Sequence, residues 1–189
     1  MSEITFKRKF YDEMLEWKMN SNGKSALMID GARRVGKSTI AEVFAKNEYD
    51  DYLLIDFVNA SKDIKDNFDN LGNMDVFFRN LFLFAGRGLK SSNSVIIFDE
   101  VQKFPRAREA IKYLVKDGRY HYIETGSLIS IKKKSQEIVI PSEEDKRKMY
   151  PMDFEEFLWA TGDNVTAPFI KDCFEKRIPM GDKLHRKSM

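Results

Sequence analysis

The residues best suited to chemistry lie between positions 31 and 38, where the sequence is Gly-Ala-Arg-Arg-Val-Gly-Lys-Ser. This segment fits the pattern G-x-x-x-x-G-K-[ST] without a mismatch, and it stands between an apolar run and a helical pattern, as the motif requires. Gly31 and Gly36 permit backbone conformations that turn successive N–H groups around phosphates. The helix that begins near Lys37 adds its positive N-terminal end. The spacing therefore predicts a phosphate-binding loop.

This loop has the residue types that hold Mg·ATP. Lys37 is expected to reach the β- and γ-phosphates, and the Ser38 hydroxyl to ligate Mg²⁺. The predicted nucleotide-binding residues are Gly31, Ala32, Arg33, Arg34, Val35, Gly36, Lys37, Ser38 and Thr39. Arg33 and Arg34 stand at variable positions of the motif. The alternatives for them are to raise the local electrostatic potential, to face a partner or to be solvated. The alternative for the whole segment is a strand-to-helix turn with a solvated lysine.

A second motif covers residues 94–100, Ser-Val-Ile-Ile-Phe-Asp-Glu. Its four consecutive apolar residues predict a strand that is buried on both faces. Asp99 then emerges at the carboxyl end of the sheet, where open α/β folds bind ligands. We assign Asp99 to the Mg²⁺ shell and Glu100 to polarising the attacking water. Such a pair also often just ends a strand; its place after the phosphate loop favours the functional interpretation.

A third candidate, Thr125, ends the next predicted strand within the segment Glu-Thr-Gly-Ser at 124–127. If that strand neighbours the strand of Asp99, Thr125 is expected to sense the γ-phosphate or hold the lytic water. Ser127 is the second choice, and an ordinary strand-ending turn is the alternative. The candidates for an arginine finger are Arg106, Arg108, Arg119 and Arg147, and the sequence does not select among them.

Alternating strands and helices are predicted to position these residues. Apolar runs predict strands at 26–29, 52–57, 95–98, 120–125 and 149–151. Apolar spacing of three to four residues, with end signals, predicts helices at 6–17, 37–46, 74–85, 105–117 and 154–159. Residues 59–73 are polar and partly irregular, and 129–131 could pair with 138–140 as a hairpin. The alternation predicts an α/β domain with a mainly parallel central sheet flanked by helices.

Composition limits the class of protein. The chain has 189 residues, 42% of them apolar, which is enough for the core of one ordinary domain and argues against disorder. The net charge of +2 argues against a protein built mainly to coat nucleic acid. The single Cys173 excludes an intramolecular disulfide framework and fits a reducing compartment, and we predict that it is buried. The two histidines lack the spacing of metal ligands.

The sequence also predicts where the protein acts. Its start has no apolar region typical of a secretory signal, and its most apolar stretch, 76–85, is too short to span a bilayer. We therefore expect a soluble, cytoplasmic protein with no membrane partner.

Together these motifs resemble the AAA+-like ATPases of bacteria and archaea, within the additional-strand P-loop class. The resemblance is carried by residues 31–38, by Ile-Phe-Asp-Glu-Val-Gln at 97–102, by Glu-Thr-Gly-Ser at 124–127 and by Pro-Met-Asp-Phe-Glu-Glu-Phe at 151–157. It implies a P-loop NTPase fold, a Walker A motif at 31–38, a Walker B motif at 95–100 and a sensor-like Thr125 or Ser127. Many relatives have a Gly-Arg pair where this chain has Lys146-Arg147.

Relatives are commonly longer, with a helical region and an often nuclease-like C-terminal domain. We therefore expect an N-terminal helix and linker at 1–24, a P-loop ATPase domain at 25–160, and a helical segment with a basic tail at 161–189. The last segment resembles the start of a lid or C-terminal domain.

Three functions remain as hypotheses. The first is Mg-dependent ATP hydrolysis, with Lys37, Glu100 and Thr125 as catalytic residues. It would drive a conformational change in an attached or bound partner, with self-association or a protein partner supplying an arginine finger. The second is a slow ATP-dependent switch. The third is a nucleic-acid-binding module that uses 132–134, 146–148 and the basic tail, although such runs are usually solvated surface. ATP is favoured over GTP because no Asn-Lys-x-Asp motif occurs.

Overall fold

A computed structural model describes residues 6–90, 93–127 and 142–181. Five strands form one sheet in the order β2-β3-β4-β1-β5, and each pairing is parallel. The strands are β1 (Ala26–Gly31), β2 (Asp51–Asp56), β3 (Ser94–Asp99), β4 (His121–Gly126) and β5 (Glu144–Met149). The predicted α/β fold with a parallel sheet is confirmed. Since β4 lies between β1 and β3, the ends of these three strands meet at one edge of the sheet.

The described residues also form seven α-helices. They are α1 (Phe10–Ser21), α2 (Lys37–Glu48), α3 (Lys62–Asp66), α4 (Met74–Ala85), α5 (Pro105–Asp117), α6 (Phe154–Ala160) and α7 (Thr166–Lys176). Short 3-10 turns occupy Asn67–Asn70 and Val101–Lys103. No helix in the described ranges is both long enough and apolar enough to cross a membrane.

Two apolar clusters lie on opposite faces of the sheet, because successive side chains of a strand point to opposite faces. Leu27, Ile29, Ile97 and Ile123 pack in one cluster with buried residues of α1 and α2. The other cluster combines side chains from the opposite face of the strands with buried residues of α4 and α5. The strand residues are Met28, Ile96, Phe98 and Tyr122, and the helix residues include Phe77, Ile111 and Leu114. Residues 95–98 are fully buried, so the prediction of a strand covered on both faces is confirmed.

Several helix ends follow local chemistry. Pro105 stands in the first turn of α5, where its missing N–H has no helical partner to lose. Gly86 and Gly118 end α4 and α5 in the left-handed conformation that glycine adopts without strain. Asp153 caps α6 and forms a reciprocal capping box with Glu156. These predicted helix ends are confirmed.

The chain divides into two compact units. The larger contains Phe10–Tyr150 and therefore the whole sheet. The described parts of Met1–Lys9 and Pro151–Met189 form the other. In this smaller unit Arg8 pairs with Glu156 at 3.2 Å, and Lys9 pairs with Asp153 at 2.7 Å. Cys173 is buried here, as predicted.

Three boundaries differ from the prediction. The first helix begins at Phe10, and Phe6 lies before it with 44% of its surface exposed. Residues 59–73 contain α3 and a 3-10 turn, because Ser61 caps α3 while Ile64 and Phe68 are buried. The fifth strand covers Glu144–Met149 instead of 149–151, because it pairs with β1 along its whole length. The predicted hairpin at 129–131 and 138–140 lies outside the described residues.

Candidate functional site

The loop at 31–36 connects the end of β1 to the start of α2. Gly36 caps α2 in the left-handed region, at φ 95°. Arg34 is also left-handed, at φ 63°, whereas Gly31 is not. Gly31 is needed for a different reason: a Cβ there would lie 2.3 Å from the carbonyl oxygen of Met149 in β5. The loop conformation therefore depends on Gly36 and Arg34, and its close packing on β5 depends on Gly31.

Lys37 is the first residue of α2 and lies mostly inside the protein, with 5% of its surface exposed. Its Nζ donates to the carbonyl oxygens of Ala32 at 2.7 Å and Gly31 at 3.3 Å. Burial lowers the pKa of Lys37, and the nearby carboxylates of Glu100 and other acids oppose that shift. The ammonium group is thus held inside the curve of the loop, with few hydrogen-bond partners.

Ser38, Asp99 and Thr125 form a hydrogen-bonded cluster at the carboxyl edge of the sheet. The Ser38 hydroxyl donates to Asp99 Oδ1 at 2.6 Å. The Thr125 hydroxyl donates to the same oxygen. These contacts join the first turn of α2 to the ends of β3 and β4, so the topology brings together the predicted metal-binding pair and the predicted sensor. Ser127, the second choice for the sensor, is buried two residues beyond Thr125.

Glu100 follows Asp99 in a left-handed conformation, at φ 57° and ψ 44°. Its backbone N–H donates to the Thr125 hydroxyl at 3.1 Å. Its carboxylate accepts a hydrogen bond from the side-chain amide of Gln102. Glu100 is half-buried, and its negative charge raises the pKa of Lys37. The Glu100 carboxylate therefore lies close to the phosphate loop. The arrangement collects an ammonium group, two carboxylates and two hydroxyls around the N-terminus of α2.

Residues 23–158 match the family described as AAA domain. The chain belongs to this family. The match covers the phosphate loop, both acids and Thr125, and it identifies the chain as a nucleotide-binding P-loop domain of the AAA+-like ATPase class.

Three solved structures are similar to this chain at low sequence identity. The structure of Drosophila ORC bound to AT-rich DNA and Cdc6 has a TM-score of 0.50 and 11% identity, over 95% of this chain and 79% of that chain. The structure of Drosophila ORC bound to GC-rich DNA and Cdc6 has a TM-score of 0.47 and 11% identity, over 95% of this chain and 80% of that chain. Pif1 helicase from Candida albicans has a TM-score of 0.46 and 12% identity, over 97% of this chain and 47% of that chain. The first likeness shows the fold alone, and no curated protein matches this chain.

A buried group of charges lies on the other face of the AAA domain's sheet. Arg108 of α5 makes two hydrogen bonds of 2.7 Å to Glu144 of β5. Lys146 pairs with Asp30, which directly precedes the phosphate loop, at 3.0 Å. Glu124 is fully buried, and within the described residues neither carboxylate oxygen has a hydrogen-bond partner. Burial and the charge of Glu144 raise the pKa of Glu124 well above its ordinary value. Burial therefore favours the protonated, neutral form of Glu124.

The four arginine-finger candidates of the AAA domain all form ion pairs within the chain. Arg108 is buried against Glu144, so it is unable to reach a neighbouring site. Arg147 binds Glu16 and Asp145. Arg106 and Arg119 pair at the surface with acids of the same unit, Asp69 and Asp75. None of these contacts involves the residues around the phosphate loop.

The sequence motifs did not by themselves reveal three residues of this region. Gln102 stands in the motif at 97–102, but only the turn after β3 shows that its amide contacts Glu100. Asp30 and Glu124 lie in apolar strand patterns, where an isolated acid has no obvious partner. An acid inside a run predicted to be buried was the available signal, because such a group must be paired or neutral.

Proposed function

We propose that this chain binds ATP with Mg²⁺ and hydrolyses it to ADP and phosphate, and that the reaction drives a conformational change in an attached or bound partner. The observation that carries the proposal is the junction of Ser38, Asp99 and Thr125 through one carboxylate oxygen, beside buried Lys37. It joins the phosphate loop to the strand ends where open α/β sheets bind ligands.

The donor set fits Mg²⁺. This ion prefers oxygen ligands and usually keeps waters and substrate phosphates in its shell. Ser38 and Asp99 offer a hydroxyl and a carboxylate 2.6 Å apart. Within the described residues no three His, Cys, Asp or Glu side chains form a metal-binding group, so nucleotide and water would supply the other ligands. When bound, Mg²⁺ would be held by Ser38 and Asp99 and would neutralise charge that develops on the phosphates.

Lys37 is suited to bind the phosphates. It now donates to two carbonyl oxygens of its own loop, and burial lowers its pKa. Phosphate oxygens are stronger acceptors than these carbonyls because they carry charge. We expect Lys37 to exchange its loop contacts for the β- and γ-phosphates, while the N-terminus of α2 contributes backbone N–H groups.

Glu100 is the proposed group that polarises the attacking water. Its backbone is held by Thr125, and its carboxylate is close enough to Lys37 to affect its pKa. Thr125 contacts both Asp99 and Glu100, and through these contacts it would respond to the presence or absence of the γ-phosphate. This shared contact supports its proposed role as a sensor.

The chain's own arginine candidates are paired internally, which supports an arginine finger supplied by another copy or by a protein partner. We retain the slow ATP-dependent switch as the alternative, since a site without its finger turns over slowly. We also propose a cytoplasmic location and the three segments 1–24, 25–160 and 161–189.

Nucleic-acid binding gains less support. Lys146 and Arg147 are engaged with Asp30 and Glu16. Lys148 stacks on the ring of Tyr150 at 4.7 Å. Residues 132–134 and the tail from 182 lie outside the described residues. Salt-sensitive DNA or RNA binding that survives Lys37→Ala would support this function, and no shift at low salt would remove it.

The proposed reaction is tested by phosphate release from ATP, with Mg²⁺ and with a chelator. We expect release that requires Mg²⁺ and that falls by about 10²-fold or more in Glu100→Gln, because this change removes a general base without altering shape. Glu109→Gln, on the exposed face of α5, is the matched control and should leave the rate unchanged. Equal rates in wild type and Glu100→Gln would overturn the role of Glu100.

A further inference from the structure

The turn after β3 places one residue against Glu100 in a way that the proposed function does not yet use. Glu100 is left-handed, and a 3-10 turn at Val101–Lys103 follows it immediately. The turn is closed by backbone hydrogen bonds from Lys103 to Glu100 at 2.8 Å and from Phe104 to Val101 at 3.0 Å. This reversal brings the side chain of Gln102 back to the carboxylate that lies only two residues before it.

Gln102 is poorly explained as a packing residue. Only 6% of its surface is exposed, and within the described residues its Oε1 has no hydrogen-bond partner. A buried amide with an unsatisfied acceptor is unfavourable for stability, so an apolar side chain would fill this space better. The contact that the amide does make, from Nε2 to Glu100 Oε2, involves the proposed general base.

Glu100 is consequently held at two points. Thr125 accepts its backbone N–H at 3.1 Å, and Gln102 donates to its carboxylate. A carboxylate linked to the main chain by rotatable bonds samples several rotamers unless a neighbour fixes it. With the backbone fixed by Thr125 alone, the direction of the carboxylate would remain undetermined.

We propose that Gln102 is a positioning residue, whose side-chain amide fixes the Glu100 carboxylate in the orientation that activates the attacking water. This inference rests on the proposed ATP hydrolysis and extends it by one residue. Gln102 itself does not contact the phosphates in this assignment, so its removal acts on the chemical step and leaves nucleotide binding intact.

The test is single-turnover hydrolysis of ATP with protein in excess, together with the affinity for a fluorescent ATP analogue. Gln102→Met keeps the length of the side chain and removes the donor. We expect its hydrolysis rate to fall by about 10-fold to 10²-fold with affinity unchanged, because a small misplacement of a reacting group is enough for such a loss. An unchanged hydrolysis rate would overturn the inference.

Val101→Ala is the matched control for packing. It removes buried methyl groups from the same turn and leaves the Gln102 amide in place. We expect a lower melting temperature with a much smaller loss of rate than in Gln102→Met. An equal loss of rate in both variants would show that packing of the turn explains the effect and would overturn the inference.

Two further variants make every result decisive. If Gln102→Met fails to fold, Gln102→Glu preserves the shape and replaces the donor by a repelling carboxylate, with the same expected loss and the same contradicting result. Glu100→Gln separates the inference from the reaction on which it rests. Full hydrolysis in Glu100→Gln overturns the proposed role of Glu100 and the inference with it, whereas loss in Glu100→Gln with full activity in the Gln102 variants overturns the inference alone.

Discussion

Gly31 lies where the protein has no space for a side chain. A Cβ at this position would be 2.3 Å from the carbonyl oxygen of Met149, and this neighbour is backbone of β5 that is unable to rotate away. Gly36, at the other end of the loop, is required by its left-handed φ of 95°. The two glycines of the motif therefore have different physical causes: close approach for one and backbone conformation for the other.

Gly31→Ala is expected to destabilise the protein by about 1–3 kcal/mol, as overpacking at a rigid contact does. It should also weaken ATP binding, because relief of the clash must move the loop or β5. Gly72→Ala is the control, since a Cβ there meets nothing within 4 Å. Urea denaturation of both variants checks the prediction. Equal stability of Gly31→Ala and Gly72→Ala would contradict the close approach.

At the scale of elements, the position of a helix or strand can be predicted from the sequence to the extent that its residues are apolar. β1 and β3 are buried on both faces, and their apolar runs located them to within two residues. β5 was largely missed because its sequence, Glu-Asp-Lys-Arg-Lys-Met, carries charged residues, of which Glu144 pairs with α5 and Arg147 with α1. Backbone pairing with β1 fixes the position of this strand, and such pairing produces no apolar pattern in the sequence.

The candidate site was likewise predictable from the sequence only in part. Motif spacing predicted Lys37, Ser38 and Asp99 as site residues, because phosphate and metal binding restrict residue types at fixed positions. The contact of Thr125 with Asp99 required the strand order, and the contact of Gln102 with Glu100 required the left-handed turn. Both depend on tertiary structure that local patterns do not encode.

Buried Glu124 in β4 predicts a defined pH dependence of stability. Burial raises its pKa in the folded state well above the ordinary value of 4.5. As pH rises above that value, the unfolded chain loses the proton first, so this residue lowers the free energy of unfolding. The decline approaches about 1.4 kcal/mol per pH unit until the folded-state pKa is reached.

Glu124→Gln removes this titration, and we expect its stability relative to wild type to increase as the pH rises above the ordinary pKa of the Glu124 carboxyl, 4.5. Glu109→Gln, on the exposed face of α5, should follow the wild-type profile. Urea denaturation at several pH values provides the measurement. A stability difference between Glu124→Gln and wild type that does not vary with pH would show that Glu124 is not held protonated.

At the scale of the whole molecule, the four arginine-finger candidates of the AAA domain form ion pairs with acids that lie outside the phosphate loop. If another copy supplies the finger, turnover per molecule should increase with protein concentration, by about 10³-fold or more at saturation. Phosphate release measured over a wide concentration range tests this prediction. A slow rate that is independent of concentration would favour the switch.

The central claim is that the phosphate loop binds ATP, and calorimetric titration of the protein with ATP in the presence of Mg²⁺ tests it most directly. We predict saturable binding by wild type and by Lys46→Ala, a surface lysine of the same helix, and no detectable binding by folded Lys37→Ala. Tight ATP binding by Lys37→Ala would contradict the central claim.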